Sequence, residues 1–201
     1  MVPTGSRTRR ELLGTEAEPA RELLLCNPAR GQVSVHAHRE KGPSEVPTAV
    51  VTVSDTRSLD TDSGGDLVER YLSEAGHPVT RREIVPDEGE AIRRAVLSAL
   101  AESPTRAVIA TGGTGVAPRD VTPEAVAPLL DREIPGFGEL FRMLSYEEIG
   151  SAALLSRATA GIRAGQVVFV LPGSRGAIRL AMEKLILPEL AHLAGEATKT
   201  T

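Results

Sequence analysis

Residues 107–115 read AVIATGGTG: four apolar residues run straight into a turn with three glycines in five positions. An unbroken apolar run of this length, bounded by glycine, suits a strand buried on both faces of a sheet. Working outward, Ala49–Val53 (AVVTV), Val79–Val85 and Gln166–Leu171 read as further strands. The segments between them have helical spacing. Gly64–Ala75 carries Leu67, Val68, Tyr71 and Leu72, with Gly76 placed to end the helix; Glu88–Ser103 carries Ile92, Val96, Leu97 and Leu100. Further helices are expected over Pro123–Leu130, Phe137–Ile149 and Ala177–Leu193. Strands alternating with helices imply right-handed crossovers and an α/β fold whose mostly parallel sheet is covered on both sides.

The chain has 201 residues, of which 41% are apolar and only 2% aromatic, so Val, Leu, Ile and Ala must fill the core. Its length suits one domain, residues 47–195, preceded by a polar, flexible extension over residues 1–46 that Pro and Gly punctuate without periodicity. A formal charge of −4 offers no footprint for nucleic acid or an anionic membrane surface. One cysteine, Cys26, rules out an intrachain disulfide and suits a reducing compartment. Arg7, Arg9 and Arg10 are followed at once by Glu11, Glu16, Glu18 and Glu22, which a targeting segment tolerates poorly; a cytoplasmic location is expected.

Ligands of open parallel sheets bind beyond the carboxyl ends of the strands. At the first such end, Thr111, Gly112, Gly113, Thr114 and Gly115 let the backbone approach an anion with N–H groups and two hydroxyls free to donate, although a tight connection alone also reads this way. Nearby stand Arg119 and Asp120, able to hold a metal ion and a phosphate together, or simply a solvated pair; Thr122 is a candidate N-cap with Pro123 behind it. At the end of the second strand, Asp87 is either a site carboxylate or, with Glu90, a capping box. Ser54, with Asp55, Asp60 and Asp62, follows the first strand. Late in the chain Pro172, Gly173 and Ser174 precede the last helix, with Ser174 as its cap, and Arg157, beside Ser156, is placed to grip a carboxylate or phosphate. His36 and His38, His77 and His192 have no ligand partners in sequence and read as structural or solvated.

Seven segments in this order, VTVSDTR (51–57), PDE (86–88), TGGTG (111–115), RDVTPEA (119–125), DREIPGFGELFRMLSYEEIG (131–150), LSRATAGI (155–162) and LPGS (171–174), resemble the MoaB/MogA family of molybdenum cofactor biosynthesis proteins, the FRMLSYEEIG stretch being closer to its MoaB branch. The resemblance covers about residues 48–193. It implies a three-layer α/β/α domain, a homotrimer or homohexamer, and adenylylation of molybdopterin by ATP with Mg²⁺, giving adenylyl-molybdopterin and pyrophosphate. The downstream molybdate-insertion enzyme is the partner it implies. By motif matching, Asp87 and Asp120 become the catalytic and Mg²⁺-holding carboxylates. Gly112 to Gly115 become the ligand cradle, and Ser145, Ser156 and Pro172 to Ser174 become binding candidates. The same resemblance admits a non-catalytic pterin- or nucleotide-binding protein of the same pathway. Arg175 departs from the family, which often has proline after LPGS.

Overall fold

The computed structural model describes residues 42–199, so the reading of an extension over residues 1–41 lies outside the described residues. Strand β1 (Thr48–Val53) leads through a short 3-10 turn to helix α1 (Ser63–Glu74). Then follow β2 (Val79–Val85), α2 (Gly89–Ala101), β3 (Ala107–Thr111), the short α3 (Thr122–Val126) and the two-residue β4 (Arg132–Glu133). The chain continues with α4 (Pro135–Ile149), β5 (Thr159–Arg163), β6 (Gln166–Leu171), α5 (Arg175–Ala181) and α6 (Leu187–Ala197). The six strands form one sheet in the order β2-β1-β3-β6-β5-β4. The pairs β1–β2, β1–β3 and β3–β6 are parallel, and β6–β5 and β5–β4 antiparallel.

The sheet divides the core in two. On one face, Val50, Ile109, Phe169 and Leu171 pack with residues of α1, α4, α5 and α6; on the other, Val51, Ala110 and Val168 pack with Ile92 and Val96 of α2 and Val126 of α3. This is the expected three-layer α/β/α arrangement with a mostly parallel sheet. The scarce aromatics are concentrated: Phe137 lies 5.3 Å from Phe169 and 6.4 Å from Phe141, ring centre to ring centre, so all three phenylalanines fill one region beneath α4. Val46, placed by the sequence in the extension, is fully buried and donates its N–H to Nδ1 of His77, which makes that histidine a structural acceptor. Burial lowers the pKa of His77, favouring the neutral ring that can accept.

Strands β4 and β5 were not expected from the sequence. Gly161 interrupts the apolar pattern of β5 because a Cβ there would lie 2.6 Å from the carbonyl oxygen of Arg132. The β5–β6 turn is carried by Ala164 (φ +48°) and Gly165 (φ +79°), a tight hairpin with alanine where Asn or Asp usually signals it. One helix is also shorter than the periodicity predicts. The 123–130 segment changes to a 3-10 turn at Ala127–Leu129, where Pro128 cannot continue the ladder. The closing helix expected over 177–193 is present and runs from Arg175 to Ala197. It contains a π turn at Met182–Ile186 that ends two residues before Pro188, whose missing N–H and ring obstruct a regular α turn. Thr122 lies inside the first turn of α3 rather than capping it; the cap position is Val121. Among the described residues no helix is long and apolar enough to cross a membrane.

Gly112 decides how closely the glycine turn packs on the sheet: it has φ +109°, and a Cβ there would fall 2.2 Å from the carbonyl oxygen of Val53. Gly112→Ala should lose about 3 kcal/mol in chemical denaturation. Gly136→Ala, in the first turn of α4 with open space around it, should be neutral or stabilising by up to about 1 kcal/mol.

Candidate functional site

The carboxyl ends of β1, β3 and β6 meet at one edge of the molecule, and the glycine turn after β3 is held between its neighbours. Gly112 donates its N–H to Leu171 O at 2.9 Å, and the Thr111 hydroxyl donates to Pro172 O at 3.3 Å. Thr111 is therefore a buried cross-link to the β6 end rather than a ligand donor. Gly113 (φ +60°) accepts at its carbonyl the N–H of Thr122, 3.0 Å away, which returns the chain to α3.

A pocket of about 440 Å³ opens beside this turn, within the range of small-molecule sites. Ten of the residues singled out in the sequence line it: Gly112, Gly113, Thr114, Gly115, Asp120, Ser145, Ser156, Pro172, Gly173 and Ser174. Ser174 also caps α5, accepting the N–H of Ala177, as expected. The opposite wall, which the sequence did not reveal, is apolar: Phe141 and Ile149 from α4, Leu155 from the 3-10 segment that follows, and Leu180. A signal for it exists, since α4 carries more large apolar residues than one buried face needs, and Ile149 remains 60% exposed.

The two acids expected to act together both press on the glycine turn. The Asp120 carboxylate accepts the N–H of Ala117 at 2.9 Å, and its Oδ2 lies 2.6 Å from where a Gly115 Cβ would stand. Oδ1 and Oδ2 of Asp87 lie 2.7 and 3.1 Å from the corresponding point at Gly113. Asp120 lines the pocket, whereas Asp87 is seated against Gly113 outside that lining. Asp87 does not cap α2: the cap position is Glu88, without a side-chain bond, so the capping box is not formed. Asp55 orients Asp87 by accepting its backbone N–H at 3.0 Å. Burial raises the Asp87 pKa above the ordinary carboxylate value, and the charges of Asp120 and Asp55 raise it further, against a backbone bond from Val121 and the charge of Arg119. Asp87 Oδ1 and the Thr122 hydroxyl are both buried without a hydrogen-bond partner among the described residues, and both point at Gly113.

Other candidates are placed differently. Ser54 accepts the N–H groups of Thr56 and Arg57, each at 3.3 Å, and so shapes its own loop. Asp62 is structural: it accepts from the Thr52 hydroxyl and the Gly65 N–H and pairs with Arg82. Arg119 is exposed in the loop before α3. Arg157, expected to grip substrate, instead donates to protein oxygens of Gly115, Asp120 and Glu124. No cluster of three or more His, Cys, Asp and Glu suited to a metal ion occurs among the described residues.

With this geometry in place, the similarities to known proteins are specific. Residues 49–192 match the family model described as a probable molybdopterin binding domain. Molybdenum cofactor biosynthesis protein B of Bacillus subtilis is 54% identical over 168 residues, which cover 83% of this chain and 99% of that protein. A crystal structure of molybdenum cofactor biosynthesis protein B, 55% identical, superposes with a TM-score of 0.76 over 78% of this chain and 98% of that one. The tungsten cofactor synthesizing protein MoaB from Pyrococcus furiosus is 39% identical, with a TM-score of 0.71 over 78% of this chain and 99% of that one.

The raised pKa of Asp87 gives a stability prediction. A carboxyl group whose pKa rises on folding contributes stability that is fully present below its ordinary value and is lost as pH rises through the native value. Asp87→Asn should therefore leave the unfolding free energy of the ligand-free protein at pH 7 unchanged or raise it by no more than about 1 kcal/mol, with the melting temperature unchanged or higher. The gain over wild type should vanish at acidic pH. A drop of several degrees at pH 7 would instead mark Asp87 as a structural residue.

Proposed function

The chain belongs to the MoaB/MogA family of molybdenum cofactor biosynthesis proteins, and from that premise we propose that it is a molybdopterin adenylyltransferase acting in the cytoplasm. It joins molybdopterin to the AMP moiety of ATP and releases pyrophosphate. The observation that carries this reading is the seating of Asp87 and Asp120 against Gly113 and Gly115 of one glycine turn.

Nucleophile and target are both anionic, so alignment and charge screening set most of the barrier. The terminal phosphate oxygen of molybdopterin attacks the α-phosphorus of ATP, the new P–O bond forms, and the bond to the β-phosphate oxygen breaks, with pyrophosphate leaving. In this reading the amides of residues 113–115, which line the pocket, donate to phosphate oxygens and stabilise charge as it develops. Hydroxyls of Thr114, Ser145, Ser156 and Ser174 supply further polar contacts, and the Phe141–Ile149–Leu155 wall offers an apolar face to a flat heterocycle.

The residues present fit Mg²⁺ brought in with the nucleotide. Asp87 Oδ1 is buried and unpartnered, and two carboxylates completed by phosphates and water are the usual protein share of such a site. When bound, the ion would screen the phosphates and polarise the α-phosphoryl group. Asp87 and Asp120 would hold it, and their mutual repulsion in the ligand-free site is what it would relieve.

Mg²⁺–ATP should raise the melting temperature, as for any ligand bound only by the native state, and addition of molybdopterin should release pyrophosphate. Asp120→Asn should retain the fold and lower kcat by at least about 10²-fold. A shift with ATP but no pyrophosphate would assign the protein to binding without catalysis; full activity of Asp120→Asn would overturn the role of that carboxylate.

A further inference from the structure

Arg157 lies between the 3-10 segment Gly150–Leu155 and strand β5, and its guanidinium meets three separate parts of the site. Nε–H donates to the carbonyl of Gly115 at 2.8 Å, one terminal nitrogen donates to the carbonyl of Asp120 at 2.5 Å, and the other contacts the Glu124 carboxylate. Those partners are the last residue of the glycine turn, the pocket acid and the first turn of α3. Between Gly115 and Asp120 the chain is an exposed loop, residues 116–119. Two hydrogen bonds, both between Ala117 and Asp120, cross it: backbone N–H of Asp120 to Ala117 O, and Ala117 N–H to the Asp120 carboxylate, both 2.9 Å. Exposed bonds of this kind contribute about 1 kcal/mol each, too little to fix a carboxylate within the fraction of an ångström that phosphoryl transfer requires.

We propose that Arg157 is a positioning residue: it locks the glycine turn to Asp120 and acts on the reaction through that acid, without binding the nucleotide. The inference rests on the adenylyltransferase reading for its kinetic consequence, but not for its structural one. A rigid planar fork reaches three separated acceptors from three different nitrogens; lysine keeps the charge, but its three donors sit on one nitrogen and do not span them.

Arg157→Lys tests this. With Mg²⁺–ATP and molybdopterin, kcat should fall about 10- to 100-fold while KM for ATP stays within about twofold. In an Asp120→Asn background the same change should lower kcat by less than about threefold more, because both act through one group. Amide hydrogen exchange should quicken at least about tenfold for residues 116–121 and stay unchanged in β3. A large rise in KM with kcat preserved would make Arg157 a phosphate ligand and overturn the proposal, as would multiplicative losses in the double variant. Faster exchange across the whole domain would reduce the residue to general stability and overturn it likewise. If wild type releases no pyrophosphate, the adenylyltransferase reading fails by itself. The exchange measurement then still decides, and unchanged exchange at residues 116–121 would refute the lock.

Discussion

The site depends on how closely one backbone turn can approach its neighbours. Gly112 passes within contact of Val53 O at the end of β1 while donating its N–H to Leu171 O at the end of β6. Only a residue without a side chain tolerates both that proximity and φ +109°. The next glycines use the same absence differently. At Gly113 the vacant Cβ position adjoins the Asp87 carboxylate and the Thr122 hydroxyl, and at Gly115 it adjoins Asp120. The parallel strands thus set the turn, and the turn sets both acids.

Holding two carboxylates beside one turn opposes stability. Burial and the charges of Asp120 and Asp55 disfavour the ionised form of Asp87, and one of its oxygens lacks a partner. Strain of this kind is a common mark of a functional site, since a ligand that supplies the missing partner recovers the difference. The same arrangement explains why polar groups around the pocket serve different ends. Ser54, Thr111, Asp62 and Arg157 hold the backbone in place, while Gly113 to Gly115, Asp120 and Ser174 line the cavity.

Much of this was legible in the sequence because strong local signals agree with the fold. The apolar runs 49–53, 107–110 and 166–171 each lie in the sheet, and Gly76 and Ser174 stand at the helix ends where their chemistry places them. What escaped is what tertiary contact decides. Strand β5 has an Ala–Gly turn and a glycine forced by the neighbouring Arg132 carbonyl, so its residues carry little strand signal. Asp87 followed by Glu90 has the spacing of a capping box, yet Asp55 takes the Asp87 backbone N–H and the side chain turns to Gly113. Arg157 looked like a ligand for anions because nothing local shows that three oxygens distant in sequence converge on it. The apolar pocket wall was hidden because α4 contributes to the core and the pocket together.

The central claim is that Asp87 and Asp120, set by the glycine turn, form one cation–phosphate site. The most direct measurement is anomalous diffraction from crystals grown with Mn²⁺ and a non-hydrolysable ATP analogue. The account predicts an anomalous peak about 2.2 Å from oxygens of both carboxylates, with phosphate oxygens about 3 Å from the amides of residues 113–115. A peak remote from either acid, or phosphates bound away from that turn, would contradict it.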